Sequence, residues 1–165
     1  MMIRPIEERD IDTCLGWYNW YIEHTTISFE ENPQSLESYR RLAKEVTAKY
    51  PWIVLEEGGS LKGFAFLSPF NPRSAYRYTA DVTVYLDPNE RGKGYGTALM
   101  QELERLAKQQ GIRKLVSLVT AGNEASEHLH ASMGYAKMTV LADTGYKFGK
   151  WIGVAYYMKD IGGAD

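Results

Sequence analysis

The chain has 165 residues, 44% of them apolar and 24% charged, a globular composition with length for one core and too little for a second domain, so residues 1–165 are expected to form one unit. A net charge of −2 offers no basic field to neutralise a run of phosphates, which sets nucleic acid aside as a main ligand. No stretch approaches the ~20 apolar residues of a membrane helix, Met1-Met2-Ile3-Arg4-Pro5 lacks an apolar signal core, and the lone Cys14 cannot close an internal disulfide, so a cytoplasmic protein with no membrane partner is expected.

Ile3 to Ile6 reads as a short strand. Asp10 is placed to cap a helix on which Ile11, Leu15, Tyr18 and Ile22 form one apolar stripe. Pro33 and Ser35 open a second helix with Leu36, Tyr39, Leu42, Ala43 and Val46 inward, and Pro51 ends it. Trp52 to Glu56 and Leu61 to Leu67 flank Glu57-Gly58-Gly59-Ser60, the pattern of an antiparallel hairpin. A loop with two prolines, Ser68 to Ala75, leads to a long strand from Tyr76 to Leu86 that Asp87-Pro88 closes. After a glycine-rich turn, Leu99, Leu103, Leu106 and Ala107 share one helix face, and Gly111 stops that helix. Lys114 to Thr120 is apolar on both faces, as a strand buried in mid-sheet would be. Asn123 caps a further helix that Gly134 ends, and strands follow near Tyr135 to Leu141 and Trp151 to Met158. The whole predicts an α/β (α+β) protein whose mixed sheet carries helices on both faces.

The turn Arg91-Gly92-Lys93-Gly94-Tyr95-Gly96-Thr97 lies between a strand and a helix, where unpaired N–H groups and the positive helix end attract an anion. Glycines there let backbone approach phosphate oxygens closely. A P-loop is excluded because Thr97-Ala98, not Lys-Ser or Lys-Thr, follows the last glycine. A dinucleotide fold is excluded because Thr97 stands where its third glycine belongs and several strands come first.

What remains, Arg-x-x-Gly-x-Gly opening a central helix, resembles the pyrophosphate loop of the GNAT acetyltransferase superfamily. Asn123-x-x-Ser126 and Leu129-His130-x-x-x-Gly134-Tyr135 resemble that superfamily's next helix. Tyr18-Asn19, Thr26-Ile27-Ser28-Phe29, Ser68 to Thr79 and Gly145-Tyr146-Lys147-Phe148-Gly149-Lys150-Trp151 are similar to its phosphinothricin and methionine sulfoximine N-acetyltransferase branch. The resemblance implies a mostly antiparallel seven-stranded sheet with a splayed central parallel pair, here Asp81 to Leu86 and Lys114 to Thr120, and acetyl-CoA as co-substrate. It implies that backbone groups of Val84, Tyr85 and Leu86 meet the pantetheine arm, that Arg91 and Gly92 to Thr97 hold the pyrophosphate, and that Asn123 and Ser132 lie beside the arm. Asn123 is equally an ordinary helix cap. A homodimer is implied as well.

An acceptor ammonium with a pKa near ~10 must lose its proton before it can attack, at about 4 kcal/mol near neutrality. The resembling family assigns this to a Glu whose place Asp81 takes here; Asp is shorter by about 1.5 Å, which points to a water relay or a shifted acceptor. His130 stands where the resemblance puts a group serving the leaving thiolate, and an imidazole near ~6.5 suits that; His128, two residues away, faces elsewhere. Arg73 and Arg77 suit an acceptor carboxylate because the guanidinium fork binds it bidentately. Phe29, Tyr78 and Trp151 suit the pocket wall, and Thr83 is counted with them. Gly153 departs from the family's Asp. Cys14 falls on the inward side of its helix, so direct attack in a ternary complex is expected rather than an acyl-cysteine route. His24, His128 and His130 lack metal-ligand spacing, and no metal is expected.

The expected acceptor is a small amino acid of the methionine sulfoximine, methionine sulfone or phosphinothricin type. A polyamine or peptide amino terminus, or a CoA-binding sensor module weakened by the change from Glu to Asp, stays open as an alternative.

Overall fold

The computed structural model describes residues 1–162. The first strand, β1 (Met2–Pro5), is tied to its surroundings by Arg4, whose guanidinium meets the two oxygens of Asp10 at 2.7 and 3.0 Å and Glu56 at 3.2 Å. Asp10 holds the N-cap position expected of it before the first helix, but not with its side chain. Its carboxylate instead accepts from the Glu7 N–H at 2.8 Å and closes a 3-10 turn over Glu8–Asp10, because the Arg4 pairing draws the side chain back toward β1.

The first helix, α1 (Ile11–His24), buries Ile11, Cys14, Leu15 and Ile22. Cys14 is fully enclosed, and burial pushes its thiol up to about 12. The second, α2 (Leu36–Thr47), is capped by Ser35, whose Oγ accepts from the Ser38 N–H at 3.1 Å, and it buries Tyr39, Ala43 and Val46. Leu42, expected inward, is half-exposed: consecutive helical residues are rotated by ~100°, so with Ala43 facing the sheet Leu42 falls at the margin.

Among the described residues seven strands form one sheet: β1, β2 (Trp52–Glu57), β3 (Ser60–Pro69), β4 (Thr79–Leu86), β5 (Lys114–Thr120), β6 (Ala136–Lys147) and β7 (Lys150–Asp160), in the order β1-β2-β3-β4-β5-β7-β6. Every neighbouring pair is antiparallel except β4 and β5, which are parallel. The strand predicted from Tyr76 starts at Thr79, because Ser74–Tyr76 makes a 3-10 turn. Side chains alternate between the two faces. Trp52, Val54 and Phe64 pack under α1 and α2, while Ile53, Leu55, Ala65 and Leu67 pack under α3 (Tyr95–Gln109), with Leu99 and Leu103 in the same cluster. The last helix, α4 (Glu124–Ser132), follows β5.

Two expectations fail on the far half of the sheet. Leu118, on the strand expected to be buried on both faces, is 50% exposed, since α1 and α2 contact β2, β3 and β4. The β6 strand runs past the expected Leu141 to Lys147, with register shifts after Lys137 and Leu141, and leaves Met138, Val140 and Leu141 exposed. Gly153 lies beneath the second shift; a Cβ there would stand 3.1 Å from the Leu141 carbonyl, so the departure from Asp matches the bulge above it.

Candidate active site

The parallel pair holds together only at Thr79 with Lys114, Ala80 with Leu115 and Asp81 with Val116. Beyond Asp81 the strands part, although β4 stays paired with β3 to Leu86 and β5 with β7 to Thr120. The result is a wedge-shaped gap bordered by two strand edges.

Which backbone groups face the gap follows from register. Asp87 N–H donates to the Lys62 carbonyl at 2.9 Å, so Asp87 is directed at β3, and in an antiparallel ladder that direction alternates. Tyr85 and Thr83 therefore face β3, whereas Val84 and Leu86 face the gap. The Arg113 N–H bond to the Tyr78 carbonyl at 2.8 Å fits the same alternation, even-numbered residues facing β5. The expectation that Tyr85 presents its backbone to a ligand is thus corrected. The Leu86 carbonyl is taken by the Tyr21 hydroxyl, which donates to it at 2.9 Å from α1.

At the wide end of the gap stands the N-terminus of α3. Gly94 is its N-cap in the left-handed conformation, φ +78°, with no side-chain cap bond. Gly92 also has positive φ, and a Cβ built at either glycine would meet nothing within 4 Å. Ala98 N–H already donates to the Gly94 carbonyl, which leaves the N–H groups of Tyr95, Gly96 and Thr97 as first-turn donors. Around this open, electropositive cradle stand exposed Arg91 and Lys93, the latter paired to Glu90 at 2.6 Å. The Tyr95 hydroxyl donates to Glu57 and anchors the turn to β2. The cradle and the gap together suit a diphosphate joined to a slender amide-bearing arm.

Asp81 sits where the strands part. Its Oδ1 is buried and has no hydrogen-bond partner among the described residues, and burial pushes its carboxyl up to about 6. Thr83 and Tyr85 follow it on the α1 face of β4. The Tyr85 ring meets Tyr18 at 5.4 Å and Tyr21 at 5.3 Å between centroids. Burial raises the Tyr18 and Tyr85 phenols, and hydrogen bonding to Ser28 lowers both part of the way back.

His130 is 4% exposed, between the rings of Tyr135 and Tyr157. Its Nδ1 lies 2.7 Å from the Ser126 carbonyl, a pairing that requires Nδ1–H, while Nε2 is buried without a partner among the described residues. Burial lowers its pKa, so the expected imidazole near its ordinary value becomes a more persistently neutral ring whose Nε2 accepts rather than donates. His128 is exposed. Asn123 caps α4, its Oδ1 accepting from the Ser126 N–H at 3.4 Å, and Ser132 is exposed at the other end, donating to the Leu129 carbonyl.

The expected acceptor residues fall in two groups. Arg73, Arg77 and Tyr78 are exposed on the segment leading into β4, with Arg77 stacked 4.5 Å over the Tyr78 ring. Phe29 and Trp151 belong to a second cluster with Tyr146: Trp151 and Tyr146 stand 5.0 Å apart, and Phe29 packs against Gly145 so closely that a Cβ there would lie 2.6 Å from its ring. Sequence reasoning missed Tyr21, Ser28, Thr120 and Lys147 as builders of this region. Thr120 Oγ1 donates to the Thr26 carbonyl at 2.6 Å, and Lys147 Nζ donates to the Thr25 and Ser28 carbonyls at 2.8 and 2.7 Å. Their long-range partners left no local spacing to read.

A hollow of about 780 Å³ lies elsewhere, lined by Pro5, Arg40, Lys44 and Tyr50 among others, and holds none of the expected site residues. Among the described residues no three His, Cys, Asp or Glu side chains are gathered to hold a metal ion.

The pattern of the acetyltransferase (GNAT) family matches residues 15–135. A phosphinothricin N-acetyltransferase from Alcaligenes faecalis is 34% identical over 99% of this chain and 84% of its own. An L-methionine sulfoximine/L-methionine sulfone acetyltransferase from Pseudomonas aeruginosa is 31% identical over 96% of this chain and 94% of its own. The crystal structure of a GNAT superfamily phosphinothricin acetyltransferase from Sinorhizobium meliloti in complex with acetyl-CoA superposes with a TM-score of 0.94 at 29% identity, covering 98% of this chain and 88% of that one.

Proposed function

This chain belongs to the acetyltransferase (GNAT) family, and from that premise we propose that it is an acetyl-CoA-dependent N-acetyltransferase acting on the primary amine of a small amino acid of the methionine sulfoximine, methionine sulfone or phosphinothricin type. The observation that carries the reading is the parting of β4 from β5 beside an uncapped, glycine-lined helix N-terminus. When bound, acetyl-CoA supplies an activated acetyl thioester. The α3 cradle, Arg91 and Gly92 to Thr97, receives its pyrophosphate; the gap-facing backbone of Val84 and the N–H of Leu86 pair with its arm. The amide of Asn123 has its NH₂ side left for the ligand, and Ser132 borders the same helix.

Asp81 is the base. Above about pH 6 it is ionised, and its unpartnered oxygen is free to take the ammonium proton through a bridging water, which makes up for the short side chain. The second proton of the attacking nitrogen passes to the departing sulfur as the tetrahedral adduct collapses, so CoA leaves as its thiol, and His130, held by Ser126, offers Nε2 to accept from that S–H or from a pantetheine amide. Arg73 and Arg77 take the acceptor carboxylate, while Thr83, Tyr78, Phe29 and Trp151 enclose its side chain. The enclosed, high-pKa Cys14 supports direct attack over an acyl-cysteine.

We further propose that one acetyltransferase unit spans residues 1–165, that the protein is cytoplasmic, and that two copies pair through the apolar residues left open on β5 and β6. Among the described residues no helix is long and apolar enough to cross a membrane.

Free thiol released from acetyl-CoA tests the function across methionine sulfone, methionine sulfoximine, phosphinothricin, a polyamine and an N-terminal peptide. Release that depends on an amino-acid acceptor is expected. Turnover restricted to the polyamine or peptide, or CoA binding without turnover on any amine, would overturn the acceptor class or the catalytic reading respectively.

A further inference from the structure

The turn joining β6 to β7 breaks the sequence preference of its own geometry. Lys147 pairs with Lys150, so Phe148 and Gly149 form a two-residue loop, and both have positive φ, +52° and +72°. Such a turn favours Asn, Asp or Gly at its first position. For a bulky aromatic it brings Cβ against the following carbonyl, and a side chain held there points to function more readily than to stability. Burial compensates the ring only in part, since Phe148 is 54% exposed.

The tip is nevertheless firmly anchored. Lys147 is 4% exposed, its Nζ bonds the Thr25 and Ser28 carbonyls, and the same ammonium stands 5.0 Å from the Phe148 ring centroid. The loop it grips continues into Phe29, which lies on Gly145, and is held from β5 by Thr120. Thr25 in that loop donates its Oγ1 to the Tyr21 carbonyl at 2.7 Å, the Tyr21 ring meets Tyr85 at 5.3 Å between centroids, and Tyr85 shares the α1 face of β4 with Asp81. A continuous set of contacts thus links the strained aromatic to the face that carries the candidate base.

We infer that Phe148 selects the acceptor: the Lys147 anchor fixes its ring at the rim of the acceptor side, where it packs against the methylene groups of the acceptor's side chain and favours long unbranched chains over short ones. Methylene groups gain by leaving water for contact with an aromatic ring. This inference rests on the N-acetyltransferase reading above.

Phe148→Asn and Phe148→Leu are compared with wild type for melting temperature and for kcat and KM with methionine sulfone, alanine and acetyl-CoA. Asn suits the turn, so Phe148→Asn is expected to melt at the same temperature or higher. Its KM for methionine sulfone is expected to rise roughly tenfold, the scale of a lost apolar contact, with kcat, the KM for acetyl-CoA and the KM for alanine little changed. Phe148→Leu, still apolar, is expected to recover most of the loss. A folded Phe148→Asn enzyme with unaltered KM for methionine sulfone, or one whose KM rises equally for acetyl-CoA, overturns this inference alone. A lower melting temperature in Phe148→Asn also counts against it, because the ring would then be kept for packing. A wild type that acetylates no amino acid overturns the functional reading and this inference together.

Discussion

Asp81 is a carboxylate that the fold tolerates at a loss. Its unfolded pKa lies near ~4, and burial holds it at about 6 in the folded chain. The folded state therefore binds this proton more tightly. The stability it contributes is present below about pH 4 and is lost as pH rises through about 6. Asp81→Asn removes that loss. Two pKa units at ~1.36 kcal/mol each set an upper bound, so a gain of about 1–2 kcal/mol is expected near pH 7.5, read as a melting temperature raised by several degrees. The same variant is expected to lose roughly 10²-fold or more in acetyl transfer. In wild type, kcat/KM for the acceptor should climb through about pH 6 on its acid limb, and that limb should vanish in Asp81→Asn. Asp81→Glu, longer by about 1.5 Å, is expected to stay active within roughly tenfold and to depend less on a bridging water.

At the scale of single elements, the α3 N-terminus carries the strongest prediction. Gly94→Val puts a branched side chain at φ +78° in the open cradle. Backbone strain of about 1–2 kcal/mol is expected, and CoA affinity should fall by at least about tenfold as the side chain intrudes on the anion. Gly58→Val is the matched control: φ there is +62° and a Cβ also meets open space, but the residue lies in the β2–β3 turn. Calorimetry should show the Gly58 variant with comparable strain and unchanged CoA binding. Equal loss in both variants would mean the cradle is only a turn. The period-3.6 stripe of α1 and the glycine turn before α3 were legible because burial on one face and positive φ both leave residue-type signatures. The alternation that gives Val84 and Leu86, but not Tyr85, to the gap was not, since it depends on register with β3 and on no side chain. Lys147 was unreadable for a related reason: a lysine among exposed hairpin residues looks solvated until the Thr25 and Ser28 carbonyls are brought to it from over a hundred residues away.

At the scale of the whole molecule, the strands and the antiparallel β2–β3 hairpin were visible from alternation and turns and the mostly antiparallel sheet followed from the family resemblance, while the uneven cover of the sheet was not legible. Nothing in the apolar run of β5 distinguishes a face covered by helices from one left bare, so Leu118 read as core. Its exposure, with that of Met138, Val140 and Leu141, underlies the proposed pairing of two copies, for which roughly 800 Å² per partner is the usual scale. Sedimentation should give twice the 18.8 kDa chain mass, and Leu118→Asp with Leu141→Lys should sediment as a single chain with an unchanged circular dichroism spectrum. A wild type that sediments as one chain at high concentration would remove the pairing while leaving the catalytic account intact.

The central claim is that the gap between β4 and β5 and the glycine-lined mouth of α3 are built for acetyl-CoA. Titrating CoA into the purified protein in a calorimeter tests it most directly: saturable binding of one CoA per chain, weakened in Gly94→Val and retained in Gly58→Val, is the predicted result. Absence of any heat of binding from CoA and from acetyl-CoA would contradict it.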